Sequence, residues 1–300
     1  MTKIKEDITQ ALQFIDKDII SKAEATSQHS MAYGLSIGLV YSCGVEGAWK
    51  DKITKLLNTF NNPVLITTAD MSYTAAKVIA DAVGPNRLYL DSGGFTLWKK
   101  EQLLGDNNPE FCKLCNKMQK KYLRMIQEIT PMEVFELDNE YFRKDEDLLS
   151  PLNYCRQETF DILGFMPTPV FKMHQGFQYW KDLCESSLYP KLAIGGFAAT
   201  REWHTRIDEI KILMDYARQH GKKVHLLGCQ NTAAYKSIQP DTVDYNIFQL
   251  GIVLNKVKKE HPGMTDSREL RMQAVLWAFA NSKSRSFLYD CYKIENNQLS

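Results

Sequence analysis

Acids, amides and paired glycines recur in this sequence at the ends of short apolar runs. Asp91-Ser92-Gly93-Gly94-Phe95 closes one run, and Glu136-Leu137-Asp138-Asn139-Glu140 closes another. His174-Gln175-Gly176, Gly195-Gly196-Phe197 and Gly228-Cys229-Gln230 close three more, and Asp244 lies within the last. Carboxylates in such places can move protons or accept from N–H donors. Paired glycines let a flat ligand approach the backbone. Each residue also has a plainer reading: Asp as a helix N-cap, Gly-Gly as a tight turn, Gln175 as a solvated loop residue. Glu136 and Asp138 fall on one side of an extended strand, so a buried Glu136 must be paired, protonated or turned away. His174 is expected to be a structural hydrogen bonder.

The elements that would position these residues alternate along the chain. Eight runs read as strands: Leu35–Tyr41, Val64–Thr68, Arg87–Asp91, Val134–Asp138, Pro169–His174, Lys191–Gly195, Lys223–Gly228 and Thr242–Ile247. Several are continuously apolar, as strands covered on both faces are. Helical periodicity occupies Trp49–Phe60, Tyr73–Val83, Pro109–Ile129, Leu152–Leu163, Phe177–Ser187, Arg201–His220, a short stretch near Thr232–Ser237, and Ser267–Asn281. Thr200 with Glu202 offers capping chemistry at one helix start, and Gly221 a stop. Eight strand–helix units predict an α/β chain with a (β/α)8 TIM barrel over residues 31–282. An N-terminal helix over 1–30, striped by Ile8, Leu12, Ile15 and Ile19, precedes it, and a tail over 283–300 follows. Catalytic groups of such a barrel sit at the C-terminal strand ends, where the acids lie. Arg87, Glu133, Lys191 and Lys223, at the opposite ends, read as solubilising residues. The loop Ser42-Cys43-Gly44-Val45-Glu46-Gly47 is neither a P-loop nor a dinucleotide fingerprint.

Composition bounds the partners. The 300 residues are 44% hydrophobic and 24% charged, with 37 Lys+Arg against 36 Asp+Glu. A polyanion would therefore be held by a local basic patch rather than by a global field. No early apolar run resembles a signal peptide, and no segment approaches the ~20 apolar residues of a membrane span. The expectation is a cytoplasmic chain, in the host cytoplasm if viral, with no membrane partner. The seven cysteines read as reduced thiols. Cys112 and Cys115 share one helix with no second ligand pair nearby, so neither a metal nor a cofactor is expected.

In these strand-end motifs the sequence resembles the tRNA-guanine transglycosylase superfamily, in order, over roughly residues 64–247. Asp91-Ser92-Gly93-Gly94-Phe95 is similar to the family's DSGGF signature, and Asn108-Pro109-Glu110 to the Pro-Glu opening the next helix. Phe135-Glu136-Leu137-Asp138 stands where the base-recognising Asp belongs. His174-Gln175-Gly176 resembles VQGG, Leu192-Ala193-Ile194-Gly195-Gly196-Phe197 resembles AIGGL, and Leu226-Leu227-Gly228 falls where LMGVG belongs. The resemblance implies exchange of guanine in a polynucleotide for a 7-deazaguanine base. Asp138 would accept from guanine N1–H and its exocyclic amine. Gln175 and the Gly196 N–H would donate to the O6 region, with Ser92, Gly93 and Gly195 completing the base site. Asp91 would be the general acid or base, and a carboxylate would attack C1′ of an everted nucleotide.

Two departures shape the expected substrate and mechanism. The family's IDMFD pattern aligns with Asp244 at its first Asp and Ile247 at the nucleophile. Either a local shift makes Asp244 the nucleophile, or covalent exchange is lost and the pocket hydrolyses an N-glycosidic bond with water. A non-catalytic nucleic-acid-binding or partner-binding barrel is a third reading. The family's CxCxxC…His zinc module is missing, which favours DNA over tRNA, as in the viral and bacterial paralogues acting on guanine in DNA. Lys99, Lys100, Lys283 and Arg285 are candidate nucleic-acid contacts, while Lys256, Lys258 and Lys259 read as a solvated face. A second copy or a helper subunit would be compatible partners.

Overall fold

The computed structural model describes residues 64–69, 71–143, 150–197, 205–229 and 237–244, together with 259 and 262–263. Strand β1 (Val64–Thr67) is followed by α1 (Tyr73–Val83), β2 (Leu88–Asp91), α2 (Gly94–Leu104), α3 (Pro109–Ile129) and β3 (Glu133–Val134). Then come α4 (Pro151–Leu163), β4 (Val170–Phe171), α5 (Gly176–Glu185), β5 (Lys191–Ile194), α6 (Ile207–Gln219), β6 (Lys223–Leu226) and β7 (Thr242–Val243). Helix starts follow local chemistry. The Ser72 side chain accepts from Ala75 N–H at α1, and Asn108 and Ser150 cap α3 and α4 just ahead of Pro109 and Pro151.

Among the described residues every strand pairing is parallel, and neighbours follow chain order. A three-stranded sheet runs β1-β2-β3, and a four-stranded sheet runs β4-β5-β6-β7. A bridge from Phe135 to Thr168 joins them, with Thr168 N–H donating to Val134 at 2.7 Å and Glu136 N–H to Thr168 at 3.0 Å. The β1–β2 register places Thr67 beside Asp91, and β4–β5 places Phe171 beside Ile194.

Alternation sorts the side chains into two faces. Outward-facing Val64, Ile66, Leu88, Leu90 and Val134 pack with α1 and α3, while Phe171, Leu192, Ile194, Val224, Leu226 and Val243 pack with α5 and α6. Trp180 Nε1–H donates to the Leu213 carbonyl at 3.0 Å, tying α5 to α6. On the inner face Leu65, Tyr89, Phe135, Val170 and Ala193 form a third cluster, drawn from five successive strands or their ends. The Phe135 and His225 rings lie 4.7 Å apart, although two strands separate their positions. In a flat sheet three strand spacings would hold them about 14 Å apart. The sheet therefore curls, and its inner residues meet across the curve.

Strands form at seven of the eight expected runs, but the run expected over 134–138 is a strand only at Glu133–Val134 and the run expected over 169–174 only at Val170–Phe171. The eighth, at 35–41, lies outside the described residues, as do the expected helices at 1–30, 49–60 and 267–281 and the tail over 283–300. Differences are informative. Helix α2, starting directly from Gly94, is not foreshadowed by the hydrophobic pattern, because only Gly94 and Leu97 of its eleven residues are buried. Helix α6 begins at Ile207 after Arg206, whereas the sequence suggests a start near 201; 200–204 lie outside the described residues. Glu133 and Lys191 are not solubilising residues. They form an ion pair at 2.7 Å on the inner face, each about 12% exposed, with Lys191 Nζ 5.6 Å from the Tyr89 ring. Among the described residues no helix is long and apolar enough to cross a membrane.

Candidate active site

Asp91 ends β2 at the C-terminal edge of the sheet. Its Oδ2 accepts from Gly93 N–H at 3.2 Å, and the Thr67 side chain on β1 also hydrogen-bonds it. Burial, then the charges of Asp138 and Asp244, push its pKa up to about 7 against the opposing pull of those two hydrogen bonds. A carboxyl so poised can give or take a proton near neutrality. Asp138 and Asp244, from two other segments, thus act electrostatically on Asp91. Three acids converge on one mouth.

The Asp91-Ser92-Gly93-Gly94 turn shows what its glycines are for. Gly93 is left-handed at φ 86°, and a Cβ there would lie 2.8 Å from Ala69 Cβ. A Cβ on Gly94 would lie 1.6 Å from Asp138 Oδ1, so the Asp138 carboxylate rests directly on the first turn of α2. That helix N-terminus favours negative charge. Ser92, buried, donates Oγ–H to Asp138 Oδ1 at 3.1 Å.

Asp138 is held by an anchor two residues earlier. Glu136 has a fully buried side chain that meets Arg143 Nη2 at 2.6 Å and Arg156 Nη2 at 2.5 Å, and it accepts from Val170 N–H at 3.0 Å. The two acids do not share a direction. The strand ends at the Phe135 bridge, and beyond it Glu136 enters the arginine pair while Asp138 meets the mouth. Of the outcomes open to a buried Glu136, pairing is the one observed.

Lys172, just past β4, connects the remaining parts. Its Nζ donates to the Asp138 carbonyl and lies 3.4 Å from Asp138 Oδ2 and 3.9 Å from Glu140 Oε1. Its backbone N–H donates to Gln175 Oε1 at 2.8 Å, and Gln175 Nε2 is buried with no hydrogen-bond partner. Gly196, at φ 90°, has open space beside it: a Cβ there would have Lys172 Cγ, at 3.7 Å, as its nearest neighbour. Gly195 is closely packed: a Cβ would meet Val170 Cγ1 at 2.9 Å, and its N–H donates to the Phe171 carbonyl.

Asp244 follows β7 and is buried. Gly228 N–H donates to its Oδ1, and His225 Nε2 lies 3.3 Å from the same atom. His225 Nδ1 is 2.8 Å from Thr242 Oγ1. Burial first lowers the His225 pKa, partly opposed by Asp244. A neutral ring donating from Nε2 and accepting the Thr242 hydroxyl at Nδ1 satisfies both contacts.

The structure thus brings Asp91, Ser92, Gly93 and Asp138 into one contact group. Gln175 and Gly196 join it through Lys172, Asp244 joins it electrostatically, and Gly195 serves packing at the edge. Lys99 and Lys100 are exposed on α2, with Lys99 Nζ 4.2 Å from the ring centroid of Phe95, which stacks on Trp98 at 5.9 Å. Lys283, Arg285 and Ile247 lie outside the described residues. His174 is exposed and pairs with Glu140 at 3.0 Å. Sequence reasoning missed Lys172 and His225, although inward alternation within their strand runs marks both. No protein-family model, curated protein or solved structure matches the chain.

Proposed function

We propose that the chain is a transglycosylase that exchanges guanine for a 7-deazaguanine base in a polynucleotide, with DNA the first substrate to test. The observation that carries this reading is the convergence of Asp91, Asp138 and Asp244 at the C-terminal edge of one curled parallel sheet, with Lys172 among them. Chain-order strands and the shared inner cluster support closure into a (β/α)8 barrel, with residues 35–41 supplying the remaining strand.

In this reading Asp138 accepts from the N–H edge of the base. Asp244 attacks C1′ through Oδ2, since both of its hydrogen bonds fall on Oδ1. The C1′–N bond breaks as the ester forms, and Asp91 delivers a proton to the departing guanine. The incoming base returns its N–H proton to Asp91 as its nitrogen displaces Asp244 from C1′. Atoms and charge balance without a cofactor.

Single-stranded and duplex DNA, and tRNA, incubated with labelled 7-deazaguanine test the exchange. Incorporation lost in Asp91→Ala and Asp244→Asn is expected, and incorporation that survives both refutes it. A second reading, hydrolysis, draws on the same Asp91, whose pKa near 7 also suits activation of water. Free guanine released without incorporation favours hydrolysis, while a trapped adduct on Asp244 favours exchange.

A further inference from the structure

We infer that Lys172 sets the specificity of this pocket, selecting a 6-oxopurine edge, such as that of guanine or a 7-deazaguanine, over a 6-aminopurine edge. The inference rests on the proposed base-binding site and adds to it the residue that reads position 6.

Lys172 is placed as a reader rather than as a surface charge. Its side chain is only 16% exposed, and its ammonium sits beside the carboxylate that would take the base N–H groups, 3.4 Å from Asp138 Oδ2. Gly196 is the backbone its stem passes over, with Lys172 Cγ 3.7 Å from where a Cβ would stand. Alternation after outward-facing Phe171 turns the side chain inward.

The same residue also orients a second donor. A backbone N–H can only donate, so the contact from Lys172 N–H fixes which end of the Gln175 amide is oxygen. The other end, Nε2, is then a buried donor without a partner. An unpartnered buried donor is costly unless a ligand acceptor meets it. At Asp138 the protein therefore presents an acceptor carboxylate flanked by an ammonium, and the backbone of that same lysine orients an amide donor.

That pattern is directional. Guanine presents an oxygen acceptor at position 6, then donors at N1 and the exocyclic amine, which face the ammonium and the carboxylate respectively. A 6-aminopurine reverses the first two positions: its amine would face the ammonium and its N1 lone pair would face the carboxylate. Both contacts become like-on-like, and burial magnifies the cost of each. Asp138 alone accepts any pair of adjacent donors. Lys172 supplies the discrimination.

Calorimetric titration of the full chain with 7-deazaguanine and with 2,6-diamino-7-deazapurine tests this, because both carry the exocyclic 2-amine and the same ring skeleton and they differ at positions 1 and 6. Wild type should prefer 7-deazaguanine by about tenfold to a hundredfold, the range of a hydrogen bond to a charged group. Lys172→Met should lose most of that preference, Lys172→Arg should keep it, and urea midpoints check that both remain folded. Equal binding of the two bases by wild type overturns the inference whether or not any variant folds. Binding abolished by Asp138→Ala but unchanged in affinity and preference by Lys172→Met overturns it while leaving the base site intact. If neither base binds wild type, the inference and the functional reading fall together.

Discussion

Replacing Asp91 by Asn should make the protein more stable, and increasingly so as pH rises. Asp91 ordinarily titrates near 3.8, but burial and the neighbouring Asp138 and Asp244 raise it to about 7 in the fold. Its folded pKa lies above its unfolded one, so the native state holds the proton more tightly. Between about pH 4 and 7 the folded form is protonated while the unfolded form is ionised, and stability falls as pH rises through that window. Above 7 the penalty is complete and constant. At ~1.4 kcal/mol per pH unit the displacement corresponds to ~4 kcal/mol. Asp91 keeps a partly exposed edge, so solvent screening reduces the expected figure to ~2 kcal/mol. Asn retains an oxygen for the Gly93 N–H, so geometry is kept and charge alone is removed.

The assay is urea denaturation of wild type and Asp91→Asn at pH 4, 5.5, 7 and 8.5. The variant's advantage should be near zero at pH 4, should grow through the window and should level off above 7. Activity should be lost over the same range, because a destabilised acid is retained for its chemistry. An advantage that is constant with pH, or that favours wild type at pH 8.5, refutes the reasoning. Such a result would mean that Asp91 is an ordinary solvated carboxylate and no proton donor at neutrality.

Other perturbations probe the frame around it. Glu136→Ala should cost about 3–5 kcal/mol by urea denaturation, because Arg143 and Arg156 would be left facing each other across a buried gap; an unchanged midpoint would contradict the clamp. Gly94→Ala should displace the Asp138 carboxylate, costing about 1–3 kcal/mol and most base binding, since the new methyl would fall 1.6 Å from Oδ1; calorimetry with 7-deazaguanine reads it. Isotope-edited NMR of His225 should show an imidazole that stays neutral below the usual histidine range, protonated on Nε2; a ring charged at neutral pH would be inconsistent with its burial.

Much of the fold is legible in the sequence because its strands carry a strong local signal. Val64–Thr67, Leu88–Asp91 and Lys191–Ile194 are apolar on both faces, which only sheets covered by helices require. The mouth is legible because strand ends place chemistry. Helix α2 is obscured because its exposed Phe95 and Trp98 break the expected apolar stripe. The direction of Asp138 is hidden because the two-residue period holds only while the strand lasts: Glu136, just past the Phe135 bridge, still faces outward like Val134, and Asp138 does not. Lys172 is obscured for a related reason: a lysine within a partly apolar run reads as solvated until its partner is known. Asp138, 34 residues earlier, supplies that partner.

The inner face explains why chemistry is confined to one end. At the end where strands begin, Glu133 and Lys191 pair at 2.7 Å beneath Tyr89, so charge there is neutralised and shielded. The apolar cluster of Leu65, Tyr89, Phe135, Val170 and Ala193 then separates that end from the other. At the far end Asp91, Asp138 and Asp244 act on one another electrostatically, Lys172 Nζ lies 3.4 Å from Asp138 Oδ2 and 3.9 Å from Glu140 Oε1, and Arg143 and Arg156 are turned outward onto Glu136. Folding alone gives no reason for that imbalance, since moving either arginine inward would relieve it. Burial, then the neighbouring carboxylates, raise the pKa of Asp91, and the same carboxylates leave acceptors for a ligand rich in N–H donors. In the proposed function, the distribution of counter-charge, more than any single residue, is what would let this mouth protonate and hold a base.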